Sequence, residues 1–184
     1  MSKIVRIDSL HHGDRLKCSA NGDGIRIVIW FCGCDVRCNG CQNQEFWDFD
    51  NPNFEEFSEK HIELIINEQK KYPNIYSGLS VLGGEPFAVK NIDDVITLCN
   101  EFKKNITNKN IWIWSGHTLD WLNEQKEEYG KKIQKLLNLC DYIVDGPFDI
   151  NKRDITLKFR GSTNQTIWEK NKDNEWIKSE MNKK

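Results

Sequence analysis

Three cysteines in the loop after the first strongly apolar segment constrain this chain more than any other feature. Cys34, Cys38 and Cys41 stand at C-x3-C-x2-C spacing, so their thiolates can turn toward one metal centre. Structural zinc sites are normally closed by four ligands, commonly two pairs, and no second Cys or His pair follows here. Iron–sulfur clusters ordinarily take four thiolates. Three thiolates on a four-iron cluster leave one iron open, as a reactive centre requires.

Composition places these thiols in a reducing environment. The chain has 184 residues, enough for one domain with or without a tail. Its seven cysteines are odd in number, which favours metal binding over a disulfide framework. The chain has 26 basic and 28 acidic residues, so it lacks the excess positive charge typical of nucleic-acid-binding proteins. We therefore expect no nucleic-acid partner. The charged amino terminus and the lack of a long apolar run predict a cytoplasmic protein without a membrane partner.

Apolar runs bounded by turn residues alternate with helical patterns along the chain. Strands are predicted at residues 25–31, 79–82, 111–114, 142–144 and 155–160. Helices are predicted after the capping residues Ser58 and Asn91, and over residues 119–128 and 131–139. This alternation implies a parallel sheet with right-handed crossovers. The strands are too few for a closed eight-stranded barrel, so we expect an α/β fold of the compact, partial (open) β/α barrel type.

Four unusual turns follow four of these strands. They are the cysteine loop, Gly83-Gly84-Glu85, Ser115-Gly116 and Asp145-Gly146. In parallel α/β folds the chemistry lies at the carboxyl ends of the strands, which share one edge of the sheet. The sequence therefore predicts one site on this rim.

Several separate motifs carry a family resemblance. The cysteine loop resembles the signature of the radical S-adenosylmethionine (SAM) enzymes, in which SAM completes the coordination of one iron of a 4Fe-4S cluster. Together with Gly22-Asp23-Gly24-Ile25-Arg26, Asn43 and Trp47, it resembles the glycyl-radical-enzyme activases. The segments 145–148 and 159–165 are similar to the activators of anaerobic ribonucleotide reductases. The resemblance spans residues 22–165, nearly the whole predicted core.

The chain departs from the family pattern at positions that are not cluster ligands. Asn21 and Asp23 replace the Asp and Pro of the usual Asp-Gly-Pro-Gly turn. Gln42 stands where a histidine often follows the third cysteine, and Gly40 stands where many radical SAM proteins have a bulky residue. These departures limit what can be transferred about the contacts of the turn.

The resemblance implies an oxidoreductase of the radical SAM class that generates a glycyl radical. Its partner would be the large catalytic subunit of anaerobic ribonucleotide reductase, and its electron donor a flavodoxin or ferredoxin-type protein. Two alternatives stay open: an activase of pyruvate formate-lyase or another glycyl radical enzyme, and a non-enzymatic metal-binding interaction module. Residues 1–168 would form the radical SAM activase domain, and residues 169–184 a charged tail or a terminal hairpin.

The resemblance also implies roles for individual residues. Cys34, Cys38 and Cys41 are the expected ligands of the 4Fe-4S cluster, whereas Cys32 is either a further thiolate or a small core residue. Residues expected to bind SAM lie in the loop and the turns: Gly40, Gly83, Gly84, Glu85, Ser115 and Asp145. Glu85 is expected to brace its loop rather than to touch the ligand.

Simple turn hydrogen bonds offer an alternative explanation for Ser115 and Asp145. In the distinctive segment after residue 159, Arg160, Ser162 and Asn164 are expected to contact the partner or the substrate.

Overall fold

Strands and helices alternate through most of the chain, of which the computed structural model describes residues 1–183. The strands are β1 (Lys3–Asp8), β2 (Ile25–Phe31), β3 (Glu55–Glu56), β4 (Tyr76–Gly83), β5 (Asn110–Trp114), β6 (Tyr142–Asp145), β7 (Thr166–Lys170) and β8 (Trp176–Lys178). The α-helices are α1 (Lys17–Ala20), α2 (Glu59–Lys71), α3 (Ile92–Asn105), α4 (Leu119–Glu124) and α5 (Glu127–Leu139). None of the helices within the described residues is both long and apolar enough to cross a membrane.

All eight strands join one mixed sheet in the order β3-β1-β2-β4-β5-β6-β7-β8. The central strands β2, β4, β5 and β6 run parallel, whereas β1 and β3 on one side and β7 and β8 on the other pair antiparallel. Over the described residues the sheet stays open, with β3 and β8 at its edges. The predicted α/β class with a parallel sheet is confirmed for the four central strands.

The two faces of the sheet are covered differently. Ile27, Ile29 and Phe31 of β2 lie in the larger apolar core together with the buried stripes of α2, α3 and α5. Successive side chains of a strand point to opposite faces, so Val28 and Trp30 lie on the other side. There they pack in a smaller cluster with Leu82 of β4 and with Phe46 from the segment after the cysteine loop. The face opposite α2, α3 and α5 is the one open to a ligand.

The predicted helix starts are confirmed, with one difference in how they are stabilised. Ser58 is the N-cap of α2, and its backbone N–H donates to Nδ1 of His61 at 3.0 Å. Asn91 precedes α3, but its side chain makes no capping hydrogen bond. The predicted helix over 119–128 is shorter, because the chain leaves the helical conformation at Gln125 before α5 begins.

The strand predicted over residues 155–160 is wrong. This segment forms turns, with Ile155 85% exposed and Phe159 in the left-handed region at φ +57°. The Asp154 carboxylate accepts hydrogen bonds from the backbone N–H of Thr156 at 2.9 Å and from its hydroxyl at 2.6 Å, which stabilises a local turn. The apolar residues alternate because Leu157 and Phe159 face a cleft, not because the backbone is paired.

A fully buried arginine ties the central strands together. Arg26 Nε donates to Oγ of Ser80 at 2.6 Å, and Nη2 donates to the carbonyl oxygens of Leu79 at 2.7 Å and Asn110 at 3.1 Å. Its guanidinium carbon lies 5.6 Å from the ring centroid of Trp112. Burial lowers the pKa of Arg26 to about 9, which leaves the group cationic at neutral pH. Arg26 therefore joins β2, β4 and β5 through charge-assisted hydrogen bonds.

Arg26→Met should destabilise the fold. The substitution keeps much of the side-chain volume but removes every donor, and buried carbonyls lose their partners. We expect the free energy of unfolding to fall by about 3 kcal/mol. Anaerobic urea unfolding followed by circular dichroism measures it. Arg15→Met at an exposed position is the control and should change stability by less than about 0.5 kcal/mol. Equal loss in both variants would contradict the bridging role of Arg26.

Candidate metal centre and cleft

Backbone hydrogen bonds join the four turns at the carboxyl ends of the parallel strands. The N–H of Glu85 donates to the carbonyl of Gly33 at 2.8 Å, which links the turn after β4 to the cysteine loop. The N–H of Gly146 donates to the carbonyl of His117 at 3.1 Å, which links the turns after β6 and β5. The structure thus brings the four predicted turns together on one rim.

Two residues of left-handed conformation fold the cysteine loop back on itself. Arg37 has a φ of +47° and Gly40 a φ of +75°, and the second suits glycine because it lacks a β-carbon. Cys34, Cys38 and Cys41 are all half-buried and free. Cys32 is fully buried, and its thiol donates to the carbonyl oxygen of Asp48 at 2.7 Å, as expected of a core residue.

Backbone N–H groups surround the three sulfurs. The N–H of Asn43 donates to Sγ of Cys41 at 3.4 Å. Burial raises the pKa of the Cys34 thiol to about 11, and the nearby N–H of Arg37 opposes this rise. Burial likewise raises the pKa of Cys38, opposed by the N–H of Phe148. Hydrogen bonds to sulfur are among the contacts by which a protein tunes an iron–sulfur cluster, so this donor set fits one.

The fit to a metal centre rests on this loop and its donors. Within residues 1–183, no three His, Cys, Asp or Glu side chains are grouped to hold a single metal ion. Cys41 is nonetheless close enough to Cys38 to contribute, after burial, to the raised pKa of the Cys38 thiol. All three cysteines belong to one loop of eight residues, between Cys34 and Cys41.

Glu85 connects two turns of the rim through its carboxylate. It is 1% exposed, and its Oε1 accepts hydrogen bonds from the N–H of Phe87 and from Oγ of Ser115, both at 3.0 Å. Oε2 accepts from the N–H of Gly116 at 2.7 Å. Burial raises the pKa of Glu85, and these donors oppose the shift. Its carboxylate braces the turns after β4 and β5, the role expected of it, while Ser115 is engaged in the same network.

The two glycines before Glu85 permit two chain segments to touch. A β-carbon on Gly83, whose φ is +116°, would lie 2.4 Å from the carbonyl oxygen of Phe31. On Gly84 it would lie 2.1 Å from the carbonyl oxygen of Gly33. Both contacts are with backbone and not with the far end of a flexible side chain. The glycines are therefore required for the approach of β4 to the base of the cysteine loop.

Asn91 is a site residue that the sequence reasoning missed. Its buried Nδ2 donates to the carbonyl oxygens of Cys32 at 3.0 Å, Gly33 at 3.2 Å and Glu85 at 3.0 Å. Its Oδ1 has no hydrogen-bond partner within the described residues. An asparagine before a helix indicates a cap, so no sequence signal distinguishes this clamp.

His117 connects the cysteine loop to the turn after β5. Its Nε2 lies 3.6 Å from Oδ1 of Asp35, and its ring stacks on Trp121 with centroids 3.8 Å apart. Burial lowers the pKa of His117, but the carboxylates of Asp35 and Glu85 outweigh it, so the pKa is raised overall. The neighbouring His117 imidazole in turn lowers the pKa of Asp35.

Asp145 stabilises a helix start. Its Oδ2 accepts a hydrogen bond from the N–H of Leu119, the first residue of α4, at 2.6 Å. The carboxylate is 5% exposed, and burial raises its pKa. Neither of the two roles considered from the sequence, a ligand contact or an Asx-turn, describes this bond.

Arg160 ties the segment after residue 159 to the carboxyl-terminal part of the chain. Its Nη1 donates to the carbonyl of Gln165 at 2.8 Å and its Nη2 to the carbonyl of Asn182 at 2.7 Å. Burial lowers its pKa. Nε is buried without a hydrogen-bond partner in the described part of the chain.

Ser162 and Asn164 hold the same segment against the turn after β6. Ser162 is fully buried, and its Oγ accepts from the N–H of Asp149 at 3.2 Å. Asn164 is exposed, and its Nδ2 donates to the carbonyl of Pro147 at 2.7 Å. The two family-like segments are thus packed on each other, with Asn164 accessible from outside.

A cleft of about 420 Å³ lies beside the cysteine loop, on the face of the sheet opposite α2, α3 and α5. Its floor carries large side chains from the ends of β2, β4 and β5, namely Trp30, Leu82 and Trp114. Cys41, Gln42 and Asn43 form one side, and Phe148, Ile155, Leu157, Phe159 and Arg160 are among the residues of the opposite wall. The cleft combines this aromatic and aliphatic floor with polar and charged groups on its walls, a mixture that suits a small molecule with both kinds of surface. Of the predicted site residues, Cys41 and Arg160 contribute to its lining.

Comparison with known proteins identifies the family to which this part of the chain is similar. The family described as a 4Fe-4S single cluster domain matches residues 20–168. The anaerobic ribonucleoside-triphosphate reductase-activating protein of Haemophilus influenzae is 32% identical over 148 residues, 80% of this chain and 89% of that protein. The protein of the same name from Vibrio cholerae is 33% identical over 147 residues, again 80% and 89%. The one from Enterobacteria phage T4 is 30% identical over 157 residues, 85% and 90%.

The matched range includes the cysteine loop, the four turns and the segment packed on the turn after β6. With its 4Fe-4S single cluster domain, the chain therefore belongs to the family of anaerobic ribonucleoside-triphosphate reductase-activating proteins.

Proposed function

We propose that this chain is a radical SAM activase that generates the glycyl radical on the large catalytic subunit of anaerobic ribonucleotide reductase. The observation that carries the proposal is the cysteine loop, which holds three free, half-buried thiols within eight residues and places Cys41 on the cleft. The names of the relatives support the choice of partner. Such a protein is an oxidoreductase.

The role of the chain itself is to hold a cluster in which one iron has no protein ligand. Cys34, Cys38 and Cys41 would bind three irons and leave the fourth for SAM. When bound, the reduced cluster supplies one electron for the reductive cleavage of SAM. The N–H groups near the sulfurs would stabilise negative charge there, and the aromatic and aliphatic floor of the cleft would limit the access of water to the reacting atoms.

The remaining predicted SAM-binding residues act on the site in two ways. Gly40, Gly83 and Gly84 give the loop and the turn after β4 the close backbone approach that their positions need. Glu85, Ser115 and Asp145 hold the rim through their hydrogen bonds to neighbouring turns. We assign this second set an indirect role, in which they orient backbone groups toward SAM.

The fold is consistent with this assignment. Four parallel strands with α-helices packed on one face of an open sheet are what a partial β/α barrel of the radical SAM type requires. We take residues 1–168 as the activase domain. The hairpin of β7 and β8 extends its sheet into residues 169–184.

The rim beside the cleft suits a docking surface for the partner. Ile155 is exposed there, and Asn164 is exposed on the segment held by Arg160 and Ser162. A partner loop bearing the target glycine would close the cleft. Potentials of iron–sulfur clusters span roughly −700 to +450 mV, and SAM cleavage requires the low end. We therefore propose a flavodoxin or ferredoxin-type donor, in the reducing cytoplasm where seven free cysteines persist.

Replacing any one of the three loop cysteines by alanine should abolish SAM cleavage. A missing thiolate leaves one iron without its protein ligand, so the cluster is lost or incomplete. Iron and sulfide analysis after anaerobic reconstitution, together with a 5′-deoxyadenosine assay, measures both effects. Cys99→Ala is the matched control, because Cys99 is fully buried on α3 away from the loop. Undiminished cleavage in Cys38→Ala would contradict the ligand assignment.

The partner assignment predicts where the radical appears. The protein, with SAM and a reductant, should produce a glycyl radical on the large subunit of anaerobic ribonucleotide reductase. It should produce little or none on pyruvate formate-lyase, because the segments around Asp145 and Arg160 resemble those of the reductase activators. Electron paramagnetic resonance of the two mixtures, with Cys38→Ala as the blank, makes the comparison. A radical on the lyase alone would refute the choice of partner and leave the SAM chemistry standing.

A further inference from the structure

Trp30 forms part of the floor of the cleft, and strand pairing decides which residues surround it. It is the penultimate residue of β2, and the cysteine loop begins only a few residues later. In the antiparallel pairing of β1 with β2, Arg6 lies opposite Trp30 and Asp8 lies opposite Val28. Opposite and diagonal neighbours of an antiparallel pair share one face of the sheet. Arg6 and Asp8 therefore project onto the same face as the Trp30 indole.

Asp8 is bonded directly to the indole. Its Oδ2 accepts a hydrogen bond from Nε1 of Trp30 at 2.7 Å and another from Nε of Arg6 at 2.9 Å. The Arg6 guanidinium carbon also lies 4.9 Å from the centroid of the Trp30 ring. Phe46 meets the same ring edge-on, with centroids 6.2 Å apart. The indole is held by a carboxylate, a cation and a second ring.

The carboxylate is itself fixed. Asp8 is fully buried, and its Oδ1 accepts from the N–H of Asp14 at 2.8 Å. The backbone loop that supplies this N–H passes so closely that a β-carbon on Gly13 would lie 2.3 Å from Oδ1. A buried carboxylate is costly unless each oxygen is paired, and both oxygens of Asp8 are. An apolar residue at position 8 would be enough to pack against the indole. A carboxylate also accepts the indole N–H and therefore favours one orientation of the ring.

We propose that Asp8 is a positioning residue for the cleft: it fixes the Trp30 indole as a wall for a flat aromatic ligand group, the adenine of SAM. This rests on the proposed function for the identity of the ligand. Asp8 lies outside residues 20–168, the range that matches the family, whereas Trp30 lies inside it. An indole free to turn about its side-chain bonds would present a different outline to the cleft, so ligand affinity would fall.

The affinity of the cluster-loaded protein for SAM tests this, measured by anaerobic equilibrium dialysis with labelled SAM. Asp8→Ala should raise Kd about tenfold, with iron per chain unchanged. Asp8→Asn keeps an oxygen that can accept the indole N–H and should raise Kd by no more than about threefold. Glu56→Ala is the control and should leave Kd unchanged. Glu56 is an exposed residue of β3, which pairs with β1 on the side away from β2.

A double-mutant cycle separates positioning from a general structural effect. Trp30→Phe keeps a ring but removes the N–H, and adding Asp8→Ala to it should weaken SAM binding no further, because Asp8 acts through the indole. If Asp8→Ala loses iron, Asp8→Asn replaces it in the cycle with the same expectation. A parent-like Kd in Asp8→Ala, or additive losses in the cycle, would overturn the role of Asp8 alone. An iron-loaded parent that binds no SAM would overturn the proposed function as well.

Discussion

The contact between the base of the cysteine loop and the turn after β4 supports the rest of the rim. Gly84 lets two backbones approach, Asn91 donates to carbonyls on both sides of the contact, and Glu85 continues it to the turn after β5. A carboxylate this buried is tolerated because charge-assisted hydrogen bonds, each worth about 1.5–3 kcal/mol, replace its hydration. The cysteine loop is therefore held from beneath by a hydrogen-bond network that links it to the turns after β4 and β5.

The asymmetry of the sheet explains why the cleft lies where it does. Helices α2, α3 and α5 seal one face with aliphatic side chains. The other face carries aromatic residues and is covered by loops and short helical turns, which leave a gap beside Cys41. Because side chains of a strand alternate, Phe31 can pack in the main core while its neighbour Trp30 lines the cleft. A few residues of β2 thus serve both stability and the candidate site.

Sequence reasoning placed the elements well and the side-chain roles less well. The central strands, the starts of α2 and α3 and the grouping of four turns on one rim agree with the structure, because each depends on local pattern and on the rule for parallel strands. The segment 155–160 has a strand-like alternation but no pairing partner. Asp145 was expected near a ligand or in a turn, and instead its carboxylate accepts from the first N–H of α4. Local pattern cannot indicate a partner that lies elsewhere in the chain.

The sequence by itself determined the chemistry available to this protein: three cysteines at a spacing that suits one metal centre, and an alternation of strands and helices that brings loops to a common edge. It also carried the resemblance that the comparisons bear out. Only the tertiary structure decided that Asn91 clamps the loop, that Arg26 bridges three strands, and that Asp8 reaches Trp30. These contacts join residues far apart in the chain, and their partners are set by strand register and close backbone approach rather than by any short motif.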